Sequence, residues 1–156
     1  MYETFEHTAD VGLRVRATTL SALFEDAGQG LFSLMVANLT AVQPLGQIRI
    51  QLQRENLEDL WHDWLSELLF AFHGRRLVLA QFVADVRLAE RCDEAEGDPR
   101  GPQGALPPIR LDAVARGEPI DPSRHEIAVE VKAVTWHGLR VQPQSDGWLG
   151  EVILDI

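Results

Sequence analysis

Apolar and polar residues change their period several times along this chain, and each change predicts an element. Val11, Leu13, Val15 and Ala17 alternate with Gly12, Arg14 and Arg16, the period of two expected of a half-buried strand. From Leu20 the period is helical: Leu20, Leu23, Phe24, Ala27, Leu31, Leu34 and Met35 form one stripe, with Thr18 or Thr19 available as N-cap. Gly28 and Gly30 fall inside this helix and cost it about 1 kcal/mol each relative to alanine, so close packing against a neighbour is expected to compensate. Ile48, Ile50 and Leu52 alternate with Gln47, Arg49, Gln51 and Gln53 in a second strand. A second helix follows, with Leu57, Leu60, Trp61, Trp64, Leu65, Leu68, Leu69 and Phe72 on one broad face, Asn56 as cap with Asp59 three residues on, and Gly74 closing the end. That face reads as core-facing, and a partner groove is the alternative.

Leu77 to Leu88 reads as a strand, and Ile109, Leu111, Ala113 and Ala115 resume one after an acidic, Pro- and Gly-rich stretch. The pair suggests a hairpin with an enlarged tip, and the stretch from about Arg91 to Leu106 reads as a mobile loop, too polar to offset its ordering entropy. Gly117 to Pro122 reads as a turn-rich crossing. Ile127 to Thr135, Leu139 to Val141, and Gly147 to Leu154 then suggest a three-strand meander. About seven strands and two amphipathic helices predict an α+β fold, a mostly antiparallel sheet with the helices packed on it, as a single domain over residues 1–156.

Composition narrows the function classes. With 156 residues and 46% apolar content, the chain can bury a core without staples. Its 24 acidic against 14 basic residues, a net charge of -10, oppose direct capture of nucleic acid, so contact with RNA is expected to run through a partner protein; solubility is the plainer reading of the same charge. Leu65 to Phe72 is too short to span a bilayer, and Met1-Tyr2-Glu3 opens no basic and apolar leader. Cys92 has no second cysteine to bridge. A soluble, cytoplasmic protein without a membrane association is the expectation.

The chain has no Gly-rich phosphate loop, no Cys-x-x-Cys pair and no His-Glu-x-x-His spacing. Its serines lie in no nucleophile-elbow setting, which argues against a serine hydrolase. His62 and His73 read as surface or capping residues, and His7 and His137 as hydrogen-bonded structural residues that each belong to a motif. Two acidic motifs remain, His7-Thr8-Ala9-Asp10 near the start and Asp155-Ile156 at the end. Asp10 alone reads as a turn former or strand-edge residue. If Asp10 converged with the Asp155 side chain and the α-carboxylate of Ile156, however, the three would suit a hard divalent cation.

The motifs Glu6-His7-Thr8-Ala9-Asp10-Val11-Gly12, Glu130 to His137, and Gly147-Trp148 through Asp155-Ile156, in this order, resemble the archease family. The resemblance spans essentially the whole chain, because Leu20 to Met35, Leu57 to Leu69 and Gly117-Glu118 also fall where archeases carry helices and a Gly-Glu turn. It implies a small α+β protein that is not itself an enzyme. Such a protein helps the GTP-dependent RtcB-type RNA ligase of tRNA splicing and RNA repair to form its guanylated histidine and turn over repeatedly. It also implies a metal site at Asp10, Asp155 and the Ile156 carboxylate, filled by calcium first, with magnesium and manganese served by the same oxygen donors. The stretch near Arg91 to Leu106 is longer than the family's usual turn. An alternative of another class is a metal-dependent hydrolase of phosphate esters, in which Asp10 and Asp155 hold an ion that activates water, with His7 or Lys132 assisting. Lys132 could equally pair with Glu130, Glu151 or Asp155 across strands. Oligomeric state and the ligase-facing surface are not readable from sequence.

Overall fold

A helix that carries glycine on two sides can be approached closely from both, and this organises the protein. The structure is a computed structural model describing residues 1–7, 10–88 and 108–156. The described residues form eight strands and two α-helices in the order β1 (Tyr2–His7), β2 (Asp10–Ala17), α1 (Leu20–Met35), β3 (Gly46–Arg54), α2 (Leu57–His73), β4 (Leu77–Arg87), β5 (Ile109–Pro119), β6 (Ala133–Val134), β7 (Arg140–Gln144) and β8 (Gly147–Asp155). A short 3-10 turn at Leu39–Ala41 follows α1. On one side of α1, a Cβ at Gly28 would lie 2.8 Å from the Phe82 ring of β4; on the other, a Cβ at Gly30 would lie 2.8 Å from Leu13 of β2. Both glycines therefore seat α1 against the two sheets at once, the compensation expected from sequence.

The caps are those the sequence predicts. Thr19 Oγ1 accepts from the Ala22 amide at 3.1 Å, and Asn56 Oδ1 accepts from the Asp59 amide at 2.8 Å. The aromatic face of α2 is core: Trp61 and Trp64 are fully buried, the Phe24 ring meets Trp61 edge-on at 5.2 Å, and Trp64 Nε1 donates to the Phe24 carbonyl at 2.9 Å. Burial of such rings, with the indole N–H of Trp64 satisfied, supplies much of the hydrophobic driving force.

Every strand pairing is antiparallel, in two sheets rather than one. The first runs β1-β2-β8-β6, with β7 also pairing β8; the second runs β3-β5-β4. β1 had no prediction, because Tyr2–His7 has no clean alternation. The meander is corrected too. β6 and β7 both border β8, and of Ile127 to Thr135 only Ala133–Val134 is strand. The rest of that segment satisfies its backbone elsewhere: Ala128 N–H donates to the Met35 carbonyl at 2.8 Å and Val131 C=O meets His73 Nε2 at 2.7 Å. Gly117 and Glu118 belong to β5 instead of a turn, because a Cβ at Gly117 would fall 1.8 Å from the Val78 carbonyl oxygen, and only glycine lets β4 come this close. The loop expected at about Arg91 to Leu106 lies outside the described residues. Among the described residues no helix is long and apolar enough to cross a membrane.

Candidate metal centre

Register brings the acidic motifs together. β2 and β8 bury Leu13 and Val15 against Val152 and Leu154, and a slip of one residue would turn these side chains to solvent. With that register held, Arg14 stands opposite Glu151, Gly12 opposite Ile153, and Asp10 opposite Asp155. Since the strands are antiparallel, the first residue of β2 meets the last residue of β8. The backbone row continues to His7 beside Asp10 and to Ala133 beside Asp155, and the Lys132 amide donates to the Asp155 carbonyl at 2.7 Å.

Farther along the same face the charges alternate. Glu3 opposes Arg14, Arg14 opposes Glu151, and Arg140 opposes Glu151. Arg14 Nε donates to Glu151 Oε1, and Arg140 Nε donates to Glu151 Oε2 at 2.7 Å. The hydrogen bond from Arg140, together with that from Arg14, holds the Glu151 carboxyl below its ordinary range against the effect of burial. The Phe5 ring covers Gly12 and lies 5.0 Å from the Arg14 guanidinium. Glu151 is thereby committed to arginine and not to Lys132. Asp10 and Asp155 continue this row pattern with like charges, and two directly opposed carboxylates repel each other unless a cation or donors lie between them.

Opposed carboxylates on two neighbouring strands are the kind of oxygen donor that a hard divalent ion takes. Among the described residues no three His, Cys, Asp or Glu side chains gather into a metal centre. From the described residues, a third protein ligand at this end would be another kind of oxygen, such as the Ile156 carboxylate or a backbone carbonyl.

A second polar cluster was not foreseen. The buried Glu118 accepts from Arg124 Nη2 at 2.9 Å and Nη1 at 3.0 Å, from the Gln43 amide at 3.2 Å, and from His125 Nε2 at 2.7 Å. His125 Nδ1 accepts from the Asp121 amide at 2.9 Å, which assigns the proton to Nε2. Arg124 and then His125 lower the Glu118 carboxyl to about 2. Arg124 also reaches the Ala41 carbonyl at 3.3 Å, and Asn38 Nδ2 donates to the Arg124 carbonyl at 2.7 Å. These hydrogen bonds hold the 121–126 segment to β5 and to the turn after α1. His62 is likewise a clip, while His73 is at the surface in the last turn of α2, as expected, and also meets the Val131 carbonyl. His62 stacks on Trp136 with ring centres 3.9 Å apart and meets the Val134 carbonyl at 3.2 Å. No periodicity marks Glu118, whose partners Arg124 and His125 lie six and seven residues on across a bend, or His62, whose partners Val134 and Trp136 are distant in sequence.

Comparison with known proteins fits this geometry. The model of the archease protein family (MTH1598/TM1083) matches residues 2–156. Protein archease of Methanopyrus kandleri is 36% identical over 155 residues, covering 99% of both chains. Protein archease of Thermococcus kodakarensis is 33% identical over 156 residues, covering 99% of this chain and 98% of the relative. The solution structure of Methanobacterium thermoautotrophicum protein 1598 superposes with a TM-score of 0.75 at 28% identity, covering 99% of this chain and 98% of that one.

Proposed function

The chain belongs to the archease family, and on that premise we propose that it is a non-catalytic activator of a GTP-dependent RtcB-type RNA ligase. It would promote guanylylation and repeated turnover of the ligase in tRNA splicing and RNA repair, through a divalent cation held at Asp10, Asp155 and the Ile156 carboxylate. The observation that carries the reading is the opposition of Asp10 and Asp155 across the β2–β8 ladder. When bound, the ion supplies concentrated positive charge able to attract phosphate oxygens. Asp10 and Asp155 set the donor spacing through the register, and the Glu3, Arg14, Glu151 and Arg140 row stiffens the strands that carry them. With an acidic surface overall, the protein meets RNA through the ligase and not by itself.

The test is reconstitution. Catalytic amounts of cognate ligase with GTP, cleaved RNA and a calcium, magnesium or manganese salt should turn over repeatedly only when this protein is added. Asp10→Ala and Asp155→Ala should each remove the stimulation while circular dichroism shows the fold intact. Full stimulation by both variants would sink the metal site, and no stimulation by the unaltered protein would sink the ligase reading. The protein alone should cleave no phosphate ester with magnesium or manganese; turnover there would favour a hydrolase.

A further inference from the structure

Sheet edges expose unpaired backbone donors and acceptors, and folds blunt them with short strands, charge, proline, bulges or covering side chains. This protein treats its edges unequally. On β4, the amides of Ala84 and Val86 donate to Glu25 Oε1 at 2.8 Å and Ser21 Oγ at 3.0 Å of α1, and the register shifts between Leu79 and Gln81. β1 is 6 residues long and carries Glu3 and Glu6, which two antiparallel copies of the strand would set opposite each other. β7 contains Pro143, and β6 is only 2 residues long.

β3 carries none of these devices. It runs 9 residues, Gly46–Arg54, without proline, acidic residue or register shift against β5. Among the described residues no side chain of another element hydrogen-bonds its backbone. Every second residue of an antiparallel edge strand turns its N–H and C=O away from the neighbour, so this edge offers a regular row of both. Of its two arginines, Arg49 is spent on Asp112 through two hydrogen bonds of 3.1 and 2.7 Å, and Arg54 at the strand end pairs with Asp63. Along the edge lies a groove of about 190 Å³, lined by Ile48, Ile50 and Leu52 of β3, by Glu67 and Phe70 of α2, and by Arg75 just after that helix. Phe70 is 57% exposed there, the one large apolar side chain of α2 turned to solvent.

We propose that β3 is the seam of a homodimer, pairing antiparallel with β3 of a second copy about a two-fold axis at Ile50. The sequence of the strand is self-complementary in that register. Ile50 meets Ile50, Ile48 meets Leu52, Arg49 meets Gln51 and Gln47 meets Gln53, so no like charges oppose and inward residues stay with inward ones. The two three-stranded sheets then join as one sheet of order β4-β5-β3-β3-β5-β4, a closed two-fold contact. A seam between two such strands falls below the roughly 1,200 Å² of standard-size interfaces, so the dimer is weak, with a Kd of about tens of micromolar.

Sedimentation velocity of the full chain from about 1 μM to about 500 μM, a range that brackets such a Kd, should show the monomer mass giving way to twice that mass. Gln51→Arg sets arginine opposite Arg49 twice across the axis and should weaken the dimer about three- to tenfold; Gln51→Glu should tighten it by a similar factor. Adding Arg49→Glu to Gln51→Arg restores opposite signs and should recover the dimer, which separates a seam effect from misfolding. Hydrogen exchange of β3 amides should slow with concentration while that of β1 does not change. A monomer at every concentration, or a dimer indifferent to the sign of residue 51, overturns the proposal. Protection of β3 only when the ligase is added also overturns it and assigns the edge to the ligase.

Discussion

Asp10 and Asp155 stand directly opposite each other across the β2–β8 ladder, the first residue of one strand against the last of the other. Like charges so placed destabilise a sheet by up to about 1 kcal/mol, and a shared cation reverses the sign. Without divalent ions, Asp155→Asn should therefore be no less stable than the unaltered protein, and both it and Asp10→Asn are compared for their response to calcium. With calcium near saturation, the unaltered protein should gain stability by mass action and the variants should gain less. Thermal melts with and without calcium, and calorimetric titration, check this; an affinity loss of at least about tenfold is expected for each variant, and an equal calcium response in all three chains would remove both residues from the site.

The proposed ligand role of Ile156 makes the chain's end part of the site. Extending the chain beyond Ile156 moves the α-carboxylate away, so a C-terminal tag should lower calcium affinity and ligase stimulation more than the same tag on Met1. Equal effects of the two tags, measured by titration and by ligation turnover, would leave the third ligand to another oxygen.

Acid should loosen the clip around Glu118. Arg124, then His125 and the Gln43 amide, hold its carboxyl near about 2 against 4.5 in the unfolded chain. A group depressed in the folded state contributes stability that is complete above the unfolded value and lost as pH falls toward the folded one. That contribution should fade between about pH 4.5 and about pH 2, and the Glu118→Gln variant should lack that part of the acid slope. Urea midpoints measured across this range check it; identical slopes would show that Glu118 is not the group responsible.

Two glycines should respond differently to alanine. At Gly28 the added Cβ meets the Phe82 ring at 2.8 Å, a side chain with some freedom to move. A helix gain of about 1 kcal/mol then opposes an overpacking cost of about 1–3 kcal/mol, for a net loss on the order of 1 kcal/mol. At Gly117 the contact is backbone, the Val78 carbonyl oxygen at 1.8 Å, and β4 and β5 cannot both keep their places. Gly117→Ala should cost more than about 3 kcal/mol or prevent folding. Denaturant unfolding of both variants checks the order, and a Gly117→Ala chain as stable as Gly28→Ala would contradict it.

Removing one buried hydrogen bond tests the helix layer. Trp64→Phe leaves the Phe24 carbonyl without its indole donor and should destabilise by about 1–3 kcal/mol, read from the urea midpoint. A change well under that would mean that water or repacking satisfies the carbonyl.

What the sequence by itself determined is local. The periods of Leu20 to Met35 and Leu57 to Phe72, the caps at Thr19 and Asn56, the alternation in β2, β3 and β5 and the aliphatic run of β4 are written in neighbouring residues, and each formed where its pattern predicts. Through resemblance, the motif at His7 to Asp10 and the end at Asp155-Ile156 were also expected to lie together. Only the tertiary structure decided how the strands sort into two sheets, which part of Ile127 to Thr135 pairs, and that Glu118 is a buried hub instead of a turn residue. It also decided that Glu151 belongs to Arg14 and Arg140, and that Asp10 opposes Asp155. These relations join residues far apart in the chain. The β2–β8 relations follow from burying Leu13, Val15, Val152 and Leu154 together, a packing choice that no local pattern contains.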